Sequence, residues 1–575
     1  MKDSRKHNSI IHGILETMTA KQRGKVAMLA ILGVFRSLAE TVSTGAVLPY
    51  MVVLLDTKKA KGLPVLREIY VLTGSNEMKF ILLSTALFFV LYAFRCAYLV
   101  FYDYVDGRII RKISSDYSVK LFRYYITRPY EFFFDRNTSI LQRNVTTVIS
   151  GLLQGVISNS LYLFTYGLTF IMLLALMLFS GVAGLLTAAI LLMALYLVLS
   201  RYVKRKAKEI AEQTNRHSKT LHKTVLESFR GIKDVMLNAD EQNLSSFVSR
   251  EYDAGNALKA RRNLLNSIPN QILELGTVAI LTIILISGYR TAGMEESLAT
   301  LSLCGASAIR IRSALSGILS KMTAIKDNSA YYEEVIGDIR ASLRCDFLFH
   351  EKEEISFERQ IEIRNLTYRY PNSEKDIFHA FHLTINKGEA VGIAGPSGRG
   401  KSTLADLLAG LISPEEGEIL IDGLPLKGRE TVWRDLVGYV PQEIFLLDGT
   451  VLENIALFEP ASDIDRDRAR KALQTAQILD FINTLPQRED SRIGDNGILL
   501  SGGQRQRIGI ARALYRSPEI LIFDEATNSL DTATEKAFLE TVNSLRNDYT
   551  MIMISHRKET LSRCDRVVEL EDTEI

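Results

Sequence analysis

Cysteine is scarce in these 575 residues, and its spacing excludes two chemistries at once. The four thiols, Cys96, Cys304, Cys345 and Cys564, stand far apart with no CxxC and no paired histidines. Neither a disulfide framework nor a zinc site follows, and they read as free thiols in a reducing compartment. Excess charge of one sign is also lacking. A net charge of +3 is too small for bulk nucleic-acid affinity, so no nucleic-acid partner is expected. A cleavable leader is missing as well: MKDSRKHNSIIHG is polar, without the short apolar core and small-residue cleavage site of a signal peptide. The first apolar run, from about Val26, is therefore expected to be retained.

What the chain does have is long apolar runs, all before about Ser320. A bilayer core of roughly 30 Å needs about 20 helical residues, and six stretches qualify. They lie near Val26–Leu55, Met78–Tyr102, Ile157–Ser180, Gly181–Leu199, Ile268–Gly288 and Leu298–Ile318. Buried helices of a large soluble core are the competing reading. The uncharged run LTFIMLLALMLFSGVAGLLTAAILLMALYLVL is far longer than one buried helix needs, which favours spans. Basic clusters fix their direction. Lys2, Arg5, Lys6, Lys21, Arg23 and Lys25 precede the first span, Arg108, Arg111, Lys112, Lys120, Arg123 and Arg128 follow the second, and Arg201, Lys204, Arg205, Lys206 and Lys208 follow the fourth. By the positive-inside rule the N-terminus and the long connections 103–157 and 200–267 face the cytoplasm, as does everything after the sixth span. Both connections carry helix-like patterns that would reach well past the membrane and carry motion; solvated linkers are the blander alternative.

From about Glu354 the texture changes to short strands and polar helices. The apolar strand AVGIA from Ala390 runs into Gly395-Pro396-Ser397-Gly398-Arg399-Gly400-Lys401-Ser402-Thr403 and then the helical LADLLAGL. This is GxxxxGK[ST] in its required strand–loop–helix setting. Glycines let backbone N–H groups converge on phosphate oxygens, and the helix N-terminus adds favourable polarity. Lys401 is placed to reach the β- and γ-phosphates of ATP and Ser402 to ligate Mg²⁺. Ile520-Leu521-Ile522-Phe523 reads as a buried strand ending in Asp524-Glu525. Asp524 fits a second Mg²⁺ position and Glu525 a group that orients or deprotonates water; without the P-loop the pair would be an ordinary strand end. Leu500-Ser501-Gly502-Gly503-Gln504 precedes the basic helix RQRIGIARALYR. Ser501 and Gln504 have capping-box spacing, and this helix start is either simply well capped or a second anion site.

Taken together, GPSGRGKST, Pro441-Gln442, LSGGQ, IFDEATNSLD and the lone His556 resemble the ABC ATPases in order and spacing. With six preceding spans the whole chain resembles a bacterial ABC half-exporter. The fold expected is an α-helical polytopic membrane domain of the type I exporter kind joined to an α/β P-loop ATPase domain. The boundaries expected are a cytoplasmic segment 1–25, a membrane domain 26–320, a linker 321–354 and an ATPase domain 355–575. The resemblance implies a head-to-tail dimer, either of two copies or with a different half-transporter. ATP would lie between one subunit's P-loop and the other's Ser501, Gly502, Gly503 and Gln504. It implies that Tyr370 stacks on adenine, Gln442 touches Mg²⁺, Glu525 is the general base and His556 contacts the γ-phosphate; Leu530-Asp531 matches the loop that crosses the dimer interface. Three features depart from the pattern: Arg399 stands where a small residue is usual, Asn528-Ser529 replaces Ser-Ala, and the short helical tail expected after RVVELEDTEI is missing.

Ionisable residues inside spans are costly and mark cavities or partners. Arg36, Arg95, Arg310 and Arg312 qualify. Each is either paired with a carboxylate, as Arg36 would be with Glu40 one turn on, or part of a cavity for an anionic head group, because guanidinium suits phosphate oxygens. FRCAYLVFYDY, RPYEFFFDRNTS, LESFRGIKDV, NSIPNQILE and ASAIRIRSAL are similar to segments of the lipid-linked-oligosaccharide flippases of bacterial N-glycosylation. That resemblance implies an amphipathic anionic substrate, a polyprenyl-pyrophosphate-linked saccharide, turned across the cytoplasmic membrane. Exporters of peptides or of other lipids, and a gated channel, are the alternatives.

Overall fold

The computed structural model describes the chain apart from residue 1, most of 180–215, 239–240, 345–354, 495–499, 527–531, 571–575 and isolated positions that include Ser397. It divides into two compact units. One comprises Met1–Ile126 with Ser139–Cys345, the other Thr127–Thr138 with Asp346–Ile575.

The first unit is helical. Three stretches of described residues are long and apolar enough to cross a membrane: Ala20–Leu55, Glu77–Ile126 and Thr138–Leu178. The first is capped by Thr19, whose side chain accepts from the Gln22 N–H while Gln22 reaches back to the Thr19 N–H, satisfying two end donors reciprocally. The fifth and sixth expected spans lie within the helices Glu241–Ala292 and Met294–Asn328; the fourth lies outside the described residues. Small residues bring helices together where lipid gives no hydrophobic drive. A Cβ on Gly33 would stand 2.6 Å from Thr165 Oγ1, and Ser37 Oγ donates to the Thr165 carbonyl at 2.9 Å. The stretch from Thr138 is irregular: π-helical turns at Asn144–Val148 and Leu153–Ser158 interrupt it. The expected linker is helical through Arg344, in Ala330–Arg344.

The second unit carries two sheets. Continuous apolar runs form strands buried on both faces: β3 (Ala390–Ala394), β7 (Ile520–Asp524) and β8 (Thr550–Ile554). With β6 (Val437–Val440) and β9 (Arg566–Glu569) they make a parallel sheet of order β6-β7-β8-β3-β9. The second sheet, order β2-β1-β4-β5, pairs β1 (Gln360–Tyr368), β2 (Phe378–Asn386), β4 (Glu416–Ile421) and β5 (Leu424–Pro425) antiparallel. Its β4–β5 turn is Asp422-Gly423, both at positive φ, the Asp-Gly hairpin signature. Strand alternation feeds two cores. Val391, Ile393, Ile520, Ile522, Ile552 and Ile554 pack with the antiparallel sheet and Trp433, whereas Leu521, Phe523, Met551 and Met553 pack with Ile508, Ala511 and Phe538. The one tryptophan is fully buried and donates its Nε1–H to the Leu408 carbonyl at 2.7 Å, which anchors the helix that follows the P-loop.

A candidate nucleotide site and the membrane-domain arginines

In open parallel sheets, ligands bind beyond the carboxyl ends of the strands. The P-loop follows β3, Asp524-Glu525 end β7 and His556 follows β8, so all three motifs emerge at that edge. Gly395, Gly398 and Gly400 hold φ of +151°, +82° and +79°, where L side chains are strained. At Gly400 space is also short, since a Cβ would stand 2.3 Å from Ile377 Cγ2. The loop opens into a cavity of about 340 Å³ lined by Tyr370, Ile377, Gly398, Gly400, Lys401, Ser402, Thr403 and Glu525. Lys401, 5% exposed, donates to the carbonyls of Gly395 and Pro396 at 2.9 and 3.0 Å and lies 3.6 Å from Glu525 Oε1. Tyr370 shares a 2.9 Å hydrogen bond with Thr403 Oγ1 and meets Tyr368 and Phe134 edge-on at 5.4 and 5.3 Å. Glu525 itself sits at φ +47°, a conformation rare for a residue with a long side chain.

The residues expected to hold Mg²⁺ meet too. Ser402 Oγ donates to Asp524 Oδ1 at 3.1 Å, and the Tyr439 hydroxyl donates to Asp524 Oδ2 at 3.2 Å. Burial pushes the Asp524 carboxyl up against the opposing pull of those two hydrogen bonds. Burial, then the Asp524 charge, pushes Asp406 up to about 6. A buried hydroxyl–carboxylate pair backed by a second acid fits a hard divalent cation. Among the described residues no three His, Cys, Asp or Glu form a protein-only metal cage, which suits Mg²⁺, whose other ligands are typically water and substrate phosphates.

Other expected residues lie apart from this cavity. Gln442 and His556 are exposed, and neither lines it. Arg399 is exposed beside it. Ser501 caps the helix Gly502–Tyr515, its side chain accepting from the Gln504 N–H at 3.3 Å while Gln504 Oε1 accepts from the Ser501 N–H at 2.8 Å; Gly502, half-buried, and Gly503, buried, follow. Leu530-Asp531 and Ser397 are outside the described residues. Sequence reasoning missed Asp406 and Tyr439. Asp406 is one helical turn beyond Ser402, a spacing that places both on one helix face and was the available signal; nothing in the motif marks Tyr439.

In the membrane unit the four arginines divide. Arg36 pairs with Asp103 at 2.5 Å rather than with Glu40, and its guanidinium lies 5.0 and 5.2 Å from the ring centres of Tyr102 and Tyr162. Arg312 is bonded to Glu274. Arg95 is 8% exposed with its Nε unpartnered. Its carboxylate neighbour, Glu40, is 3.9 Å away, and the charge of Arg310 acts on it from nearby. Arg95 thus holds its acid loosely with a second guanidinium close by.

Comparison with known proteins bears on both units. The family description "ABC transporter transmembrane region" matches residues 24–295, and "ABC transporter" matches residues 378–528. This chain belongs to the ABC transporters. The ATP-dependent lipid A-core flippases of Salmonella paratyphi A and Escherichia coli K12 are 41% identical over 213 residues, 37% of this chain and 36% of each relative. The matched stretch thus spans about a third of those relatives. A bacterial Atm1-family ABC exporter solved with ATP bound superposes with a TM-score of 0.71 at 23% identity, over 96% of this ABC transporter and 94% of that chain. The exporter fold expected from the sequence, a helical membrane domain plus an α/β ATPase domain, is thereby confirmed.

Proposed function

We propose that this ABC transporter is one half of an ATP-driven exporter that turns an anionic amphiphile from the inner to the outer leaflet of the bacterial cytoplasmic membrane. The observation that carries the energetic half is the convergence of Lys401, Ser402 and Glu525 on one cavity, with Asp524 hydrogen-bonded to Ser402 at its wall. In hydrolysis the Glu525 carboxylate takes a proton from water as its oxygen attacks the γ-phosphorus, and the bond to the ADP oxygen breaks. Lys401 exchanges its carbonyl partners for phosphate oxygens and offsets their charge. Ser402 and Asp524 would hold Mg²⁺, which supplies charge neutralisation at the β- and γ-phosphates. Ser501 to Gln504 stand on a helix start outside this cavity, which favours their serving the nucleotide of a second subunit. Dimer closure by ATP and reopening after hydrolysis then constitute a two-state equilibrium biased by nucleotide.

For the substrate, the loosely paired Arg95 with Arg310 nearby favours a phosphate or pyrophosphate head group, and the span motifs favour a polyprenyl-pyrophosphate-linked saccharide. The relatives' name supports a second reading, lipid A-core. Substrate-stimulated ATPase in proteoliposomes separates them. A polyprenyl-pyrophosphate saccharide is expected to stimulate the wild type several-fold, and Arg95→Gln with Arg310→Gln to lose that stimulation while keeping basal hydrolysis. Stimulation by lipid A-core alone supports the second reading; unchanged stimulation in the double variant removes the arginine pair from recognition.

A further inference from the structure

A second cavity, of about 430 Å³, lies in the membrane unit between the helix Glu77–Ile126, the π-helical turn Leu153–Ser158 and Asn328. That volume is in the range of small-molecule sites, and its lining is polar. Asp106 is 5% exposed; Ser158 Oγ donates to its Oδ2 at 2.7 Å, but Oδ1 is buried without a hydrogen-bond partner. Asn159 and Asn328 each donate one amide N–H to a backbone carbonyl, of Gly155 and Ala324 respectively, and each keeps its side-chain carbonyl as an acceptor. With Asp106, the wall thus offers several acceptors to a donor. Lys321 feels the Asp106 charge, yet its ammonium lies over the Tyr162 ring, 4.7 Å from the centre. The one cation in the lining is Arg111, folded back over Gly107, and among the described residues it makes no salt bridge to Asp106. Asp106, with its unpartnered oxygen, and the separate guanidinium of Arg111 thus line the same cavity. π-Helical turns recur at functional sites, and here one supplies Gln154, Gly155 and Ser158.

The level of the cavity narrows the ligand. Between Phe80 and Tyr102 the helix Glu77–Ile126 carries one charge, Arg95, and Asp103, Asp106, Arg108, Arg111 and Lys112 follow at once. That is the depth of the lipid head groups, on the basic, cytoplasmic side. We propose that this cavity binds the head group of an aminophospholipid of the inner leaflet, its primary ammonium donating to Asp106 Oδ1 and its phosphate paired with Arg111. A purely anionic head group would leave Asp106 opposed, and a quaternary ammonium has no N–H to give. The inference rests on membrane placement alone and is independent of which substrate is exported.

The test uses the full-length protein and native mass spectrometry after equilibration with mixed phospholipid. Phosphatidylethanolamine is expected to be retained about tenfold over phosphatidylcholine, the worth of one charge-assisted hydrogen bond. Retention is expected to fall along the N-methyl and N,N-dimethyl lipids, a comparison that needs no variant. Asp106→Asn is expected to erase the preference, and Arg111→Gln to weaken retention of phosphatidylethanolamine itself; nucleotide binding by both variants reports that they fold. Equal retention of the ethanolamine and choline lipids, or an undiminished preference in Asp106→Asn, overturns the proposal. Soluble O-phosphoethanolamine is the second arm: failure to displace the lipid supports a membrane ligand, whereas displacement at comparable affinity assigns the cavity to a free solute and overturns the lipid assignment.

Discussion

Glu525 stands one residue beyond β7 at positive φ, its N–H donating to the Ile554 carbonyl at 3.0 Å. That bond ties it to the neighbouring strand, and its carboxylate lies beside the P-loop lysine. Glu525→Gln preserves shape and hydrogen bonding but cannot take a proton. ATP affinity is expected to hold while steady hydrolysis falls by about 10²–10⁴-fold, the usual worth of a general base; nucleotide binding and phosphate release measured on one preparation check this. Gly400 makes a different demand, because both its φ of +79° and the 2.3 Å approach of Ile377 forbid a side chain. Gly400→Ala is expected to weaken ATP binding at least tenfold, the strain being about 1–2 kcal/mol before the clash is counted. Titration with a fluorescent ATP analogue reads it. Both residues were legible in the sequence because their motifs encode backbone geometry as well as side-chain chemistry. Arg36 was only partly legible: its span position was plain, but its partner, Asp103, lies 67 residues away, and no local spacing reveals it.

Among elements, the β4–β5 hairpin shows how a turn can brace a sheet. Asp422 accepts from the backbone N–H groups of Glu358, Arg359 and Gln360 at 2.5, 2.8 and 2.7 Å, so the hairpin tip clamps the start of β1. Burial raises its pKa, but those three bonds outweigh it and hold the carboxyl below the usual range. For an acid with a lowered native pKa, the stabilisation is complete above its unfolded pKa of about 4 and is lost as pH falls through the native value. Asp422→Ala is therefore expected to cost about 1–3 kcal/mol at pH 7, with the difference from wild type shrinking below pH 4; denaturant unfolding at both pH values measures it. The Asp-Gly signature marks this turn in the sequence, whereas the clamp on residues 358–360 requires tertiary pairing. A similar limit applies to Thr127–Thr138, which reads as part of a long connection. It groups with the ATPase unit because Glu131 Oε1 accepts from the Ser413 N–H at 2.8 Å and Phe134 packs on Tyr370. The π-helical turns had no legible signal, since they extend a helix by one residue without altering its apolar period enough to notice.

At the scale of the whole molecule, apolar runs and basic clusters set out the membrane half, and strand–loop–helix motifs set out the ATPase half. Both are local patterns, which is why the architecture is legible in the sequence. The cavity at Asp106 was not, because it depends on where three distant segments meet. The central claim is that hydrolysis at the P-loop drives an anionic amphiphile across the bilayer, and leaflet exchange of a fluorescent polyprenyl-pyrophosphate saccharide in proteoliposomes measures it directly. ATP is expected to accelerate loss of the label from the leaflet facing the ATPase domain in the wild type, with no acceleration in Glu525→Gln. Exchange that proceeds equally without ATP, or equally in Glu525→Gln, contradicts it.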